Sequence, residues 1–598
     1  MKGLIQLLTM VSLTLIAYFP AMDAGIILDD ELFFLNDPLT SASDGLEKIW
    51  LKPLENNKIW SYVPISRSSF WLEKQIWGTD IAVSHLINVL LHLLSAIILW
   101  RTLQYCNIRG AWLIGVVFAL HPVHVQSVVW IAERRNVLAS VFYLTAMWAY
   151  LHFDKKKQGL WYWLALVLFA GALLSKTSTI MMPLVLIFCL LWIHKNLKKI
   201  YLFRLLPFFF LSLAAGVIRI WFENTLLGAT RLEESLSFGE RLSVAAHVPF
   251  FYLKKLFIPY PLVFTYPKWQ FDPGEIFNFF PLITLTVSSA ILLWKYHSWG
   301  KPIFIGLCVF VATLFPVLGF FNIAWTQFSY VSDHWVYLPC LPVLVLAVNA
   351  LLIGRKMVRG LKQSQNQYKF WALGSALLIG LGSLTWNQTL IYKNQKTLNL
   401  ATIRHNPNSW LAHTVLGEES LKEKNYQQAV EYSNKALQLK HNNIFALINR
   451  GLAYFHQGRI ELAVRDFDEA LQIDPDSVEA SFNRGMAYAW SQKYEEAIND
   501  YNLVLKMDPR HLQALNNRAS LYFQLKFYEN AIKDYTAVLK LDPSLAEAYY
   551  NRGVVNFFLK RYQQTLIDNE HTLKLNPDHT GALKMKNTLI RFFAKSKN

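Results

Sequence analysis

The chain has 598 residues, 54% of them apolar and 15% aromatic, and a formal net charge of +17. That is too apolar for an ordinary soluble protein of this length. The charge does not mark a nucleic-acid binder, because residues 393–598 hold 27 Lys/Arg against 22 Asp/Glu and most of the excess lies in the apolar N-terminal part. The four cysteines, Cys106, Cys189, Cys308 and Cys340, also lie there. They exclude a disulfide framework in the C-terminal part and offer no metal-ligand spacing.

The chain opens with Lys2 and an apolar run over 4–19, which reads as a signal anchor, or as a signal peptide with Ala21 and Ala24 behind it. Either way the next loop emerges on the same side. That loop, 21–80, holds ten Asp/Glu against five Lys/Arg, and Asp29, Asp30 and Glu31 stand consecutively near its start. It carries Trp60, Tyr62, Trp71 and Trp77, side chains suited to a membrane interface. Further apolar segments follow at about 81–100, 111–131, 136–152, 160–174, 180–194, 203–222, 277–294, 302–320, 335–353 and 371–391, giving about eleven crossings.

The loops 101–110, 152–159, 195–204, 295–301 and 354–370, together with Lys2, contain 17 Lys/Arg and no acid apart from Asp154. Basic residues concentrate on cytoplasmic loops. The alternate loops, including the acidic one, are therefore expected outside the cytoplasm. This alternation requires 244–262 not to cross, which Lys254, Lys255, Pro259 and Pro261 favour.

Past residue 392 the texture changes to a period of 34 residues. Pro407, Pro475, Pro509, Pro543 and Pro577 fall on it, with His441 in the missing place; Gly417, Gly451, Gly485, Ala519 and Gly553 share a second register, and Ala429, Ala463, Ala497, Ala531 and Thr565 a third. Small residues at fixed positions let paired helices pack closely and turn into the next pair. The pattern resembles tetratricopeptide repeats. The chain thus reads as all-α: a multi-span helical membrane domain over 1–392, a linker helix over 393–407, five repeats over 408–577 forming a solenoid, and a capping helix over 578–598. Asn449, Asn483, Asn517 and Asn551 recur two residues before the small-residue position. In that family the position lines the concave groove, where an amide can bond an extended peptide; a structural ladder between helices is the alternative.

Several polar residues fall at membrane depth. His85, Asn88 and His92 share one helix face and suit interhelical hydrogen bonding better than zinc, for which three ligands are not assembled. His121-Pro122-Val123-His124 interrupts the third span, and Glu133-Arg134-Arg135 follows on the side where arginine is otherwise sparse. Two such arginines suit an anionic ligand, with pairing to Glu133 as the alternative. Lys176 stands between two short spans, placed for a lipid phosphate or simply snorkelling to the surface. Asp333 and His334 precede the tenth crossing on the same outer side. Carboxylates and cations therefore converge on one face, as transfer from a lipid-phosphate sugar requires. The leaving phosphate needs positive charge, and the incoming hydroxyl needs a base.

Leu28-Asp29-Asp30 with Asn36-Asp37-Pro38, Ser84-His85 through Asn88 to His92, His121-Pro122-Val123-His124 with Arg134, Ser175-Lys176, and Ser332-Asp333-His334 with Tyr337 and Pro339 occur in that order. This set resembles the GT-C membrane glycosyltransferases with C-terminal tetratricopeptide repeats, among them the bacterial relatives of the cadherin-directed O-mannosyltransferases. The resemblance implies a sugar, usually mannose, moved from a polyprenyl-phosphate donor to a protein hydroxyl at the outer face of a bacterial inner membrane. It implies Asp29 and Asp30 as the catalytic pair. Arg134, Arg135, Lys176, His121 and His124 are the expected donor-phosphate set, with Glu31, His85, Asp333 and His334 accessory. No metal and no cofactor beyond the lipid-linked donor are expected. Partners are that donor and a protein or peptide acceptor held by the repeats. Two other classes stay open, a non-enzymatic membrane-anchored scaffold for envelope proteins and an oligosaccharide polymerase or ligase.

Overall fold

The computed structural model describes residues 1–52, 62–194, 198–226, 236–271, 276–321, 323–359 and 365–595. Trp60 lies outside them. The fold is all-α, with no strand among the described residues. The chain divides into two compact units, Met1–Ser409 and Trp410–Asn598.

The first unit is a multi-pass membrane domain. Among the described residues four helices are long and apolar enough to cross a bilayer: Ile81–Tyr105, Lys199–Phe222, Phe277–Trp294 and Tyr296–Val317. The pair Ala111–Leu120 and Pro122–Val129 makes a fifth if counted as one span bent by 53°. Pro122 explains the bend, since it has no N–H to continue the first helix. His121 Nδ1 caps the second piece by accepting the Val123 N–H. Lys2–Ala17, Gly159–Ser175, Thr177–Ile193 and Cys340–Gly354 are apolar but shorter. At a rise of 1.5 Å per residue, 17 residues reach about 25 Å, less than a hydrocarbon core of about 30 Å. The expected segments 136–152 and 371–391 lie in the helices Arg134–Lys156 and Gln365–Leu390. Residues 244–257 belong to the helix Phe238–Phe257, opened by a capping box between Ser237 and Glu240.

The described part of the acidic loop is folded. It contains the short helices Pro38–Ser41 and Gly45–Leu51 and the 14-residue helix Pro64–Trp77. Asp37 caps the first through the Leu39 N–H at 3.0 Å and also pairs with the buried Arg67 at 2.6 Å. The Pro64–Trp77 helix buries Phe70, Glu73 and Lys74, so it faces the membrane domain with one apolar and charged side.

The second unit is five antiparallel helix pairs and a closing helix: Trp410–Lys422 with Tyr426–Leu439, Ile444–His456 with Ile460–Ile473, Val478–Trp490 with Tyr494–Met507, Leu512–Gln524 with Tyr528–Leu541, Ala546–Phe558 with Tyr562–Leu575, then Thr580–Lys595. The glycine register lies where the two helices of a pair cross. A Cβ on Gly451 would sit 2.6 Å from the Phe467 ring, and one on Gly485 2.9 Å from Tyr501. A second ladder runs beside it. Arg450, Arg484, Arg518 and Arg552 each chelate an aspartate 16 residues ahead, Asp466, Asp500, Asp534 and Asp568. Each also donates to a side chain 16 residues behind: Asn434, Asp468, Asn502 and Thr536. The forked guanidinium suits this double duty.

Candidate active site

The site is built where the acidic loop meets the break between the third and fourth apolar segments. Asp30 makes that junction. It is fully buried; Oδ1 accepts the Ala132 N–H at 2.6 Å and Oδ2 the Ile27 N–H at 3.1 Å. Burial pushes its pKa well up, against the pull of those two bonds. Asp30 is thus a clamp on the 131–133 turn. Asp29 faces the other way. It is half-buried and its carboxylate meets no hydrogen-bond donor among the described residues. Burial raises its pKa, Arg135 pulls it back and Glu133 pushes it up again. Glu31 is exposed, and its carboxylate accepts from the Asn36 amide at 3.2 Å.

The adjacent arginines separate. Arg134 is fully buried and points at the acidic-loop helix. It pairs with Glu73, donates to Asn88 Oδ1 at 2.9 Å and to the Ser84 carbonyl at 3.1 Å, and lies 4.3 Å from the Phe70 ring centroid. Against expectation, it is held as a structural cation that locks the helix Pro64–Trp77 to the spans. Arg135 turns to the site. It grips Glu133 Oε1 at 2.6 and 2.8 Å, and its side chain stays 23% exposed. Lys176 donates to the other oxygen of Glu133 at 2.8 Å.

Glu133 therefore bridges two cations and is itself fully buried. Burial opposes its charge, but Arg135 and Lys176 outweigh it and hold the pKa below the usual range. Burial pushes Lys176 down to about 8 despite Glu133, with Arg135 and Arg219 adding to the fall. Lys176 and His334 line one cavity with Asn136, Tyr143 and Thr179. That cavity shares Tyr143, Thr313 and Leu338 with a larger groove whose other walls are Leu99, Met147, Cys189, Ile305 and Val345, among others.

The expected histidines are placed elsewhere. His121 Nε2 donates to the Leu256 carbonyl at 3.0 Å while Nδ1 accepts a backbone N–H, so the ring is neutral and both nitrogens are committed. His124 packs among His92, Phe118 and Tyr337 in the apolar core. His85 contacts the Ala24 carbonyl at 3.1 Å. All three are buried, and the structure does not bring them to Arg135 and Lys176. Asp333 is buried beside tyrosines, accepting from Tyr266 at 2.8 Å, and burial pushes its pKa up to about 7 against that bond and Lys255. His334 is anchored through Nδ1 to Ser332 Oγ at 2.8 Å and through its backbone to Gln126 and Asn136. No group of three metal-ligating side chains occurs among the described residues.

Sequence reasoning missed Glu73, Gln126 and Tyr266. Glu73 carried one signal, an acid on the inward face of an amphipathic helix. In the repeats the asparagine register is divided. Asn449 donates to the Thr414 carbonyl at 3.1 Å and Asn517 to Tyr501 at 3.4 Å, whereas the amides of Asn483 and Asn551 have no partner among the described residues.

Tetratricopeptide-repeat family models match residues 416–487 and 478–511, and a TPR-repeat model matches 519–558. A protein O-mannosyl-transferase of Caenorhabditis elegans is 26% identical over 159 residues, 24% of this chain and 23% of that one. Protein O-mannosyl-transferase TMTC3 of Homo sapiens is 21% identical over 498 residues, 75% of this chain and 53% of that one. Both of these relatives are named protein O-mannosyl-transferases. This chain spans about half, or less, of the length of these O-mannosyl-transferases. Among solved structures it is similar to YrrB, a TPR protein with an unusual peptide-binding site, at 18% identity and a TM-score of 0.29, over 32% of this chain and 97% of that one.

Proposed function

We propose that this protein transfers mannose from a polyprenyl-phosphate donor to a protein hydroxyl at the extracytoplasmic face of the membrane. The observation that carries the reading is the pairing of an unengaged carboxylate, Asp29, with Arg135 and Lys176 across Glu133. Asp29 takes the proton of the acceptor serine or threonine as its oxygen attacks the anomeric carbon. The bond from that carbon to the phosphate oxygen breaks, and the lipid phosphate departs with the electron pair. Arg135 and Lys176 stabilise the charge that collects on it. Glu133 holds both cations in place before the donor arrives.

The cavity at Lys176 and the apolar groove that adjoins it suit a small anionic head on a long hydrocarbon tail. The names of the relatives support mannose and a protein acceptor. The repeats bind the acceptor, with Asn483 and Asn551 offering free amides. The distribution of basic loops supports the outer location of both the acidic loop and the repeats.

The test is transfer by the purified protein, reconstituted with polyprenyl-phosphate mannose and serine- or threonine-bearing acceptor protein. Mannosylated product supports the reading. Donor binding without transfer to any protein hydroxyl removes it in favour of another acceptor class, and no binding favours a scaffold. Sidedness is checked by cysteines replacing Ser43 and Ser544, both of which should react with an impermeant reagent in right-side-out vesicles.

A further inference from the structure

Three hydrogen-bond donors without partners lie around His334. Nε1 of Trp130, Nε1 of Trp325 and Nε2 of Gln126 are each buried with no acceptor among the described residues. The Trp130 and Trp325 rings stand 5.9 and 5.6 Å from the His334 ring, nearly perpendicular to it, and 6.0 Å from one another. Gln126 Oε1 accepts the His334 N–H at 3.0 Å and the Ser332 hydroxyl at 3.1 Å. Those bonds fix the amide's orientation and leave its nitrogen over.

Native proteins leave few buried donors unmet, because each forfeits its bonds to water. Three about one side chain call for an acceptor that the protein does not itself provide. The place narrows the choice. His334 shares a cavity with Lys176, one of the two cations proposed for the donor phosphate. Trp130 precedes Glu133 by three residues, so a single turn sets both groups. Next to a phosphate, the acceptors at hand are the hydroxyls of the sugar it carries. Aromatic walls with a few placed polar groups suit such a ring, whose C–H faces are apolar and whose rim is polar.

We propose that Trp130, Trp325 and Gln126 form the subsite for the transferred sugar, their N–H groups bonding its hydroxyls while Arg135 and Lys176 hold the phosphate. This rests on the donor chemistry proposed above. Trp325→Phe removes the N–H and leaves a smaller aromatic ring, and at this half-buried position the lost volume costs less than it would in the core. Trp130→Phe removes the other N–H at a fully buried position, where the smaller ring also leaves a cavity.

The experiment measures binding of two lipids, polyprenyl phosphate and polyprenyl-phosphate mannose, to the full-length protein and both variants in nanodiscs. The subsite predicts that Trp325→Phe binds the mannose-bearing lipid about 2- to 10-fold more weakly and the bare lipid phosphate unchanged. Trp130→Phe should repeat that pattern if it folds, and Trp325→Phe decides the matter if it does not. Equal loss for both lipids, or loss for neither, overturns the subsite and leaves the donor reading standing. Binding of neither lipid by the unaltered protein overturns the donor reading, and the subsite with it.

Discussion

Asp30 Oδ1 accepts the backbone N–H of Ala132 at 2.6 Å, across 102 residues of chain, and this bond separates the roles of two adjacent carboxylates. Asp30 holds the turn that carries Glu133, Arg134 and Arg135; Asp29 is left facing the charged site. Asp30→Asn replaces one acceptor oxygen with a donor and leaves one buried N–H unmet, a loss of about 1–3 kcal/mol. The expected outcome is a lower melting temperature for the detergent-purified protein, with turnover per folded molecule reduced less than by Asp29→Asn. A variant as stable as the parent would show that Asp30 is no clamp.

Arg134 and Arg135 should fail in different ways. Arg134→Ala strands the buried Glu73 carboxylate and should cost about 3–5 kcal/mol, read as lost expression or early thermal unfolding. Arg135→Ala, like Lys176→Ala, should fold and weaken donor binding about 10- to 100-fold, the range for a charged hydrogen bond. Donor titrations on folded protein check this. Normal donor affinity in Arg135→Ala would remove it from the phosphate site.

Asp333 predicts a pH effect on stability. Its carboxyl titrates near 7 when folded and near 4 when unfolded, so between these values the folded chain binds the extra proton. Its contribution is fully present below about pH 4 and is lost as pH rises toward 7. Asp333→Asn keeps an oxygen for Tyr266 and should flatten that part of the decline. Melting curves at pH 5 and pH 8 for both proteins provide the check; identical slopes would contradict the assignment.

The repeats carry two ladders with separable tasks. Arg484→Ala removes the chelate on Asp500 and the bond to Asp468, and should lower the stability of the second unit by about 1–3 kcal/mol. Asn483→Ala with Asn551→Ala should leave stability unchanged and weaken acceptor binding about 2- to 10-fold. Hydrogen exchange and acceptor titration distinguish the two. Acceptor affinity unaffected by the asparagine changes would return that register to packing.

The repeats were legible because their signal is local: a proline and two small residues at a fixed period fix each helix pair by its immediate neighbours. The same holds for Pro122, whose missing N–H bends a span wherever it is placed. The site was legible only as a set of charges. Consecutive helical residues point about 100° apart, so Arg134 and Arg135 meet different partners, and nothing in their sequence says that Glu73 waits for the first. His121 and His124 misled because a polar ring beside a proline resembles a cavity wall, whereas the Leu256 carbonyl and the Tyr337 cluster occupy them. The difference between Asp29 and Asp30 rests on one backbone N–H about a hundred residues away.

If Asp29 activates the acceptor hydroxyl, turnover of Asp29→Asn with polyprenyl-phosphate mannose and acceptor protein will show it. The substitution keeps size and removes the basic oxygen. Asp29→Asn should lower kcat about 10²- to 10⁴-fold, with donor KM little changed and melting temperature near that of the parent. In the parent, the rate should rise with pH through a carboxyl value lifted by burial, and the variant should lose that limb. Full activity in Asp29→Asn would place the base elsewhere.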